Sequence, residues 1–337
     1  MLTIRRIIVI SILMNAVVFS KLPENAVDKI SIEGIAEFRS TSFLIVDAQK
    51  LSLDEETKWD EDEFKSINDI PLGYKVEAKG FRMKDGSVLA KKIEVKPNKT
   101  GIIEEIIIET ANEIEKTWNK NGYASFIDNK GNEENVGKLI VSGKEVDRIQ
   151  TLLRAITPPY LKERDLHLYV IDNKEWNAFV LANGSIYVLK GLLDSMNDDE
   201  IAIILGHELA HYTYKHSYSK YKIELASKLA LYGINKIKDK ITDDERMQYA
   251  IKLSGGMLSV VGKNQYSQSN EIQADRIGLR YAAEAGFDVT KSPDLWVKFG
   301  NKYTDQNGLY NFFMGDHPTF NLRMNKLREE IKNNYKK

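Results

Sequence analysis

The 337-residue chain predicts an α+β fold in two parts. A small antiparallel β-barrel is expected over 27–97, then a connecting segment over 98–143, then a mainly helical domain with a small β-sheet over 144–337. Up to Val95 the apolar residues fall in short period-two runs separated by glycine, the pattern of half-buried strands. After Pro97-Asn98-Lys99-Thr100-Gly101 they recur at helical spacing, most strongly from Asp198 to His211. A chain of this length also exceeds what one hydrophobic core usually serves.

The first segment sets location. Met1 to Arg6 is a short basic start, and Ile7 to Phe19 is apolar except for Ser11 and Asn15. That is the length of a signal-peptide core and short of the roughly 20 residues a membrane span needs. Residues 1–20 are expected to be a signal peptide cut after Ser20, the alternative being an anchor formed by residues 4–20. Export to a periplasm-like space or secretion follows, with membrane or envelope association under the alternative. The chain has no cysteine, which excludes a disulfide framework and lipoprotein attachment.

The barrel strands are expected at Lys29–Ile35, Phe43–Asp47, Lys75–Gly80 and Val88–Val95, with Asp85-Gly86 at a hairpin. Short strands at this spacing suit a small barrel. The arrangement resembles OB-like barrel modules of unknown function found in exported bacterial proteins. Asp54 to Glu63, an acidic run around Trp59, reads as a solvated loop.

Beyond the linker, Ile106-Ile107-Ile108 suggests a strand, whereas Ala111, Ile114 and Trp118 suggest a helix face. Residues 122–142 carry one clear signal, a turn at Asp128–Gly131. A helix over Lys144–Ile156 ends before Pro158-Pro159. Leu168–Ile171 and Ser185–Leu189 read as short strands separated by an Asn183-Gly184 turn. Asn197 with Glu200 forms a capping box, acids fill the first turn, and Ile201 to Leu205 is apolar all round, so the helix that follows is expected in a core. Tyr221–Ile237 and Asp243–Val261 show helical spacing, and a helix from about Gln265 stops at Gly286.

The buried helix carries the chemistry. His207-Glu208-Leu209-Ala210-His211 places two histidines four apart on one helix face, where both can ligate one ion, with Glu208 beside them able to accept a proton from water at the metal. Imidazoles emerging from so apolar a helix need polar partners, and a metal supplies one. A catalytic zinc needs a third protein ligand, for which Glu271 is the candidate. Asp275 lies four residues on, facing the same way, and can take the outer N–H of a ligating histidine. Spacing alone also allows Glu271 and Asp275 to be solvated acids on a surface helix. His167 and His216 receive no role, one beginning a strand and the other ending a charged helix.

Four blocks in order make the second half resemble the zinc metallopeptidases of the CAAX prenyl protease and HtpX type. They are Asn177-Ala178-Phe179 with Asn183–Val188, Gly206–His211, Asn270-Glu271 with Ala274-Asp275, and His317-Pro318-Thr319 with Arg323. The resemblance covers about 144–332. It implies a zincin-type fold, one zinc per chain on His207, His211 and Glu271, Glu208 as base, and His317 near the scissile carbonyl. Membrane-embedded members carry several membrane helices in this region; none is found here, which points to the soluble branch. Several soluble relatives of this type are autoinhibited when an inserted segment fills the cleft, and here 212–270 is the segment to suspect.

Two further roles are expected on chemical grounds. His317 can donate to the oxyanion, and Arg323 can do the same or anchor Asp275 or Glu271. Asn183, Gly184, Ser185 and Ile186 are expected to offer an edge strand that pairs with an extended polypeptide. A net charge of −1 without a basic stripe disfavours nucleic acid, and no phosphate-binding glycine loop is present. The expected activity is therefore an exported zinc-dependent endopeptidase acting on unfolded or extended polypeptides. The competing reading is a latent or non-hydrolytic, chaperone-like binding protein of the cell envelope that keeps the zinc site. Oligomeric state is not legible.

Overall fold

A computed structural model describes residues 22–60, 63–99, 101–127, 132–162, 165–218, 266–302 and 320–335. The expected signal or anchor at 1–20, the turn at 128–131, the helices at 221–237 and 243–261, and His317 lie outside the described residues.

The N-terminal part holds β1 (Ala26–Arg39), β2 (Leu44–Val46), β3 (Gln49–Trp59), β4 (Lys75–Met83) and β5 (Val88–Lys96), closed in the order β1-β2-β3-β5-β4. Their inward residues, among them Ile32, Leu44, Leu51, Val76, Ala78, Val88 and Ile93, make one apolar core. Two expectations are corrected here. The front of the acidic run is strand: Asp54 and Glu56 lie on β3, whose outward face Lys91 pairs from β5, with Glu56 at 2.7 Å. Nor is the pairing wholly antiparallel, because β3 runs parallel to β5. Inward residues switch from Val88 and Ala90 to Ile93 and Val95 because the β4–β5 register slips between Lys79 and Gly80. Gly80 lies so close to β5 that a Cβ there would meet the Leu89 carbonyl at 2.0 Å.

The second part is layered around a five-stranded sheet ordered β6-β7-β8-β10-β9. One face is covered by α1 (Ile102–Asn121), a single helix where the isoleucine run suggested a strand. Its Ala111, Ile114 and Trp118 pack on Ile171, Tyr187 and Leu189. Residues 122–142, unplaced from sequence, form the hairpin of β6 (Tyr123–Ile127) and β7 (Glu133–Ile140), and β7 pairs with β8 (His167–Asp172). The connecting segment thus shares the sheet of the second part. The opposite face, Val170, Ile186 and Val188, packs on α2 (Lys144–Ile156) and α4 (Asp198–Thr213), with α3 (Lys190–Ser195) leading from β10 to α4 along the chain. Three more helices complete this layer: α5 (Gln268–Glu284), α6 (Ser292–Lys302) and α7 (Phe320–Asn334).

The strand pair read on either side of Asn183-Gly184 is in fact three strands. β9 (Ala178–Val180) forms the Asn-Gly hairpin with β10 (Ser185–Leu189), and β10 then runs parallel to β8. All of β10 is buried. With neighbours on both sides it offers no free edge, so the expectation that Asn183, Gly184, Ser185 and Ile186 form an edge strand is not met; the edge on this side of the sheet is β9.

Candidate metal centre

The centre is built where α4 crosses α5. Helix α4 starts at a reciprocal cap: Glu200 N–H donates to Asn197 Oδ1 at 2.9 Å, and Asn197 N–H donates to Glu200 Oε2 at 3.1 Å. At the crossing the two backbones touch. A Cβ on Gly278 would meet His207 N at 2.4 Å, and one on Gly206 would meet the Gly278 carbonyl at 2.6 Å. Only glycine on both sides allows this approach, and it sets the carboxylates of α5 beside the imidazoles of α4.

The His207 and His211 Nε2 atoms are 3.0 Å apart, Glu271 Oε2 is 3.6 Å from the first, and Glu271 Oε1 is 3.4 Å from the second. Donors bound 2.0–2.1 Å from a tetrahedral ion lie about 3.3 Å from one another, so this triangle has the size and chemistry of a zinc site. All three side chains are buried, and Glu208, on the same helix turn, is 3% exposed.

The outer groups are specific. His207 Nδ1 lies 3.0 Å from Asp275 Oδ1. Asp275 accepts two bonds from Arg323, at 2.7 and 2.6 Å, and Arg323 Nη1 is 3.0 Å from Glu271 Oε2. The guanidinium lies 3.8 Å over the ring of Trp296. Burial would raise the Asp275 carboxyl, but the Arg323 charge and hydrogen bonds outweigh it and hold the group below its usual range. Burial pushes both histidines down, against the pull of Asp275 on His207; proximity of His207 pushes His211 lower still. Neutral imidazoles with Nε2 lone pairs facing Glu271 are the state that binds a metal.

The structure thus brings His207, His211, Glu271, Asp275 and Arg323 together, with Glu208 on the adjoining surface of α4. Asn183 lines one cavity with His211, but its side chain is committed to α1. The Asn183 side chain donates to Asn112 Oδ1 at 3.0 Å and to Glu115 Oε2 at 2.7 Å, pinning the β9–β10 turn to α1. Gly184 holds φ +87 in that turn.

His216, dismissed from sequence, is 3% exposed and folds back on the centre. Its Nδ1 is 2.8 Å from His211 Nδ1, its Nε2 is 2.9 Å from Gln273 Oε1, and burial pushes its pKa down to about 4. Lys215 at φ +54 turns the chain to allow this. The only signal in the sequence is that His216 lies just over one helical turn past His211. Tyr266, at the far end of the 212–270 segment, stacks on the His211 ring with centroids 3.9 Å apart.

Residues 144–331 match peptidase family M48, and residues 32–94 match a domain of unknown function, DUF5666. Among curated proteins, the chain is 33% identical to the mitochondrial metalloendopeptidase OMA1 of Bos taurus, over 41% of this chain and 27% of that protein. It is 30% identical to metalloprotease YcaL of Escherichia coli, over 46% of this chain and 58% of the relative. With the mitochondrial metalloendopeptidase OMA1 of Saccharomyces cerevisiae it is 26% identical, over 53% and 54%. The chain therefore spans between about a quarter and three fifths of these relatives' lengths. No helix among the described residues is long and apolar enough to cross a membrane.

Proposed function

The chain belongs to peptidase family M48, and from that premise we propose that it is a zinc metalloendopeptidase, exported, cutting unfolded or extended polypeptides. The observation that carries this reading is the His207, His211 and Glu271 triangle, at zinc-site dimensions inside a wholly buried crossing of two helices. Zinc bound there would supply Lewis-acid polarisation of a carbonyl and lower the pKa of water. Glu208 removes the proton from the attacking water and hands it to the leaving amine. Asp275 holds His207 in the tautomer that leaves Nε2 free to ligate, and Arg323 balances the charge of Glu271 and Asp275. His317 serves as a donor to the oxyanion in this reading.

Substrate lies along β9, the sheet edge that packs beside α4. Main-chain pairing to Ala178–Val180 accepts any extended sequence, which suits unfolded clients and excludes well-folded ones. Residues 1–20 act as an export signal or an anchor, and residues 27–97 form an OB-like module.

One observation supports a second, latent form of the same enzyme. His207, Glu208, His211, Glu271 and Arg323 are each at most 3% exposed, and Tyr266 lies flat on His211. In that form Tyr266 must leave the His211 ring before substrate enters. Casein cleavage by Tyr266→Gly separates the two forms: a several-fold gain supports latency, and no gain removes it.

The test of the main reading is zinc content with casein cleavage, wild type beside Glu208→Gln. Zinc near one per chain in both proteins, with cleavage lost about 10²–10⁴-fold in the variant, is expected. Cleavage by Glu208→Gln at the wild-type rate, or absence of zinc from the wild type, refutes it.

A further inference from the structure

Helix α5 has two working faces. Glu271, Asp275 and Gly278 face α4 and the metal centre, whereas Gln273, Arg276 and Arg280 reach the barrel. Arg276 Nη2 lies 2.5 Å from Asp47 Oδ2, Arg280 pairs with the buried Glu37 of β1, and Tyr214, just past α4, donates to the same Glu37. Asp47 and Ala48 form the two-residue turn between β2 and β3, at φ +51 and φ +53. Side chains other than glycine seldom adopt that region, and such turns favour Asn-Gly or Asp-Gly. Gly34 makes room for the turn, since a Cβ there would lie 2.9 Å from Asp47 Cβ.

From this turn a line of hydrogen bonds runs into the metal centre. Gln273 Nε2 donates to Asp47 Oδ1 at 2.7 Å, Gln273 Oε1 lies 2.9 Å from His216 Nε2, and His216 Nδ1 lies 2.8 Å from His211 Nδ1. The proton positions follow from one requirement. If His211 Nε2 ligates a metal, its proton is on Nδ1 and donates to His216 Nδ1. His216 then carries its proton on Nε2 and donates to Gln273 Oε1, which leaves the Gln273 amide N–H groups to donate onward. Every donor points from the ligand toward the barrel, and the line ends on a carboxylate. From Nδ1, His207 reaches a carboxylate directly at Asp275, whereas His211 reaches one from its Nδ1 through His216 and Gln273. His216 meets His211 through Nδ1, the nitrogen remote from Glu271, so it orients the ligand and is not one itself.

We infer that Asp47 is a positioning residue for the metal centre, setting the tautomer and orientation of His211 through Gln273 and His216. The N-terminal barrel therefore completes the centre of the second domain. The inference rests on His207, His211 and Glu271 being the metal ligands, as proposed above.

The test measures zinc affinity of the full chain by competition with a chromophoric chelator, and the d–d spectrum after cobalt substitution. Asp47→Leu, Gln273→Met and His216→Phe are each expected to weaken zinc binding about 10–100-fold and to alter the cobalt spectrum. Asp47→Asn, which keeps an acceptor oxygen, is expected within about threefold of wild type. Adding Asp47→Leu to His216→Phe is expected to cost little more, since both break one line. Gln273→Met is near-isosteric and reads the same line from within α5 should Asp47→Leu fail to fold. Wild-type affinity in Gln273→Met and Asp47→Leu overturns the inference while leaving the ligand assignment intact. Equal losses in Asp47→Asn and Asp47→Leu overturn it in favour of charge or packing. A wild-type chain that takes up no zinc overturns the ligand assignment and this inference with it.

Discussion

Gly278→Ala tests whether the glycine crossing is what holds the metal donors together. The new Cβ falls 2.4 Å from His207 N, 2.5 Å from Gly206 C and 2.8 Å from Gly206 O, all helix backbone that no rotamer change can move. Ordinary contact of a carbon with such atoms needs about 3.5 Å, so α4 and α5 must part by about 1 Å. Overpacking of this kind costs about 1–3 kcal/mol, or a melting temperature lowered by roughly 2–12 °C in a domain of this size. The effect on the metal is larger than the effect on stability. Two donors sit on α4 and the third on α5, so the separation acts directly between His207 or His211 and Glu271. Coordination tolerates about 0.2 Å, and a 1 Å gap removes Glu271 from reach. Chelator competition should therefore show zinc affinity reduced by about 100-fold or more, beyond what loss of an outer hydrogen bond produces. Gly300→Ala on α6 is the matched control. Its Cβ meets nothing within 4 Å, so it should stabilise by about 0.5–1 kcal/mol and leave zinc affinity unchanged. Zinc affinity within threefold of wild type in Gly278→Ala, with an unchanged melting temperature, would refute the crossing argument.

Three other outcomes follow from the same geometry. Arg323→Met leaves the Asp275 and Glu271 carboxylates buried without their cation, so the metal-free protein should lose roughly 3–5 kcal/mol in urea unfolding. Arg323→Lys should recover only part, because an ammonium cannot make the paired bonds to Asp275; full recovery would show that charge alone matters. Zinc at a thousandfold over its dissociation constant should stabilise the fold by about 4 kcal/mol, a rise of roughly 8–16 °C over the EDTA-treated protein by calorimetry. A shift below about 2 °C would contradict a structural contribution from the ion. At alkaline pH, burial and then the Glu115 carboxylate push Tyr169 up to about 12, and burial pushes Tyr187 higher. Between about pH 10 and 12 the unfolded chain has released these protons and the folded one has not, so stability falls as pH rises. Phenolate absorbance should report these two rings only on unfolding, and their titration near pH 10 in the folded protein would contradict the packing of Tyr187 between Tyr169 and Phe179.

What the chain discloses before folding depends on how far apart the interacting residues are. The histidine helix is legible because each of its requirements is local: the Asn197–Glu200 cap spans three residues, and His207, Glu208 and His211 lie within one turn. Glu271 and Asp275, four apart on one helix, are legible only as a shared face; spacing alone favours two solvated acids, and the resemblance of the four blocks is what singles them out. The readings that fail are those where distant segments choose each other. The strand character of Asp54 and Glu56 depends on Lys91, and the direction of β3 depends on β5. The isoleucines of 106–108 obey the helix that Ala111, Ile114 and Trp118 require to cover the sheet. One failure had a readable signal. Ser185–Leu189 is an almost unbroken apolar run, and a strand apolar on both faces belongs inside a sheet, which argues against an edge. His216 had no comparable signal, because its role exists only where Gln273, 57 residues away, joins it to Asp47, 226 residues from Gln273. A helix face announces what one element offers a metal; the groups that orient those ligands are set by contacts between elements. The catalytic pattern of this chain is therefore written in two short stretches, while the tuning of His211 is spread over the 226 residues from Asp47 to Gln273.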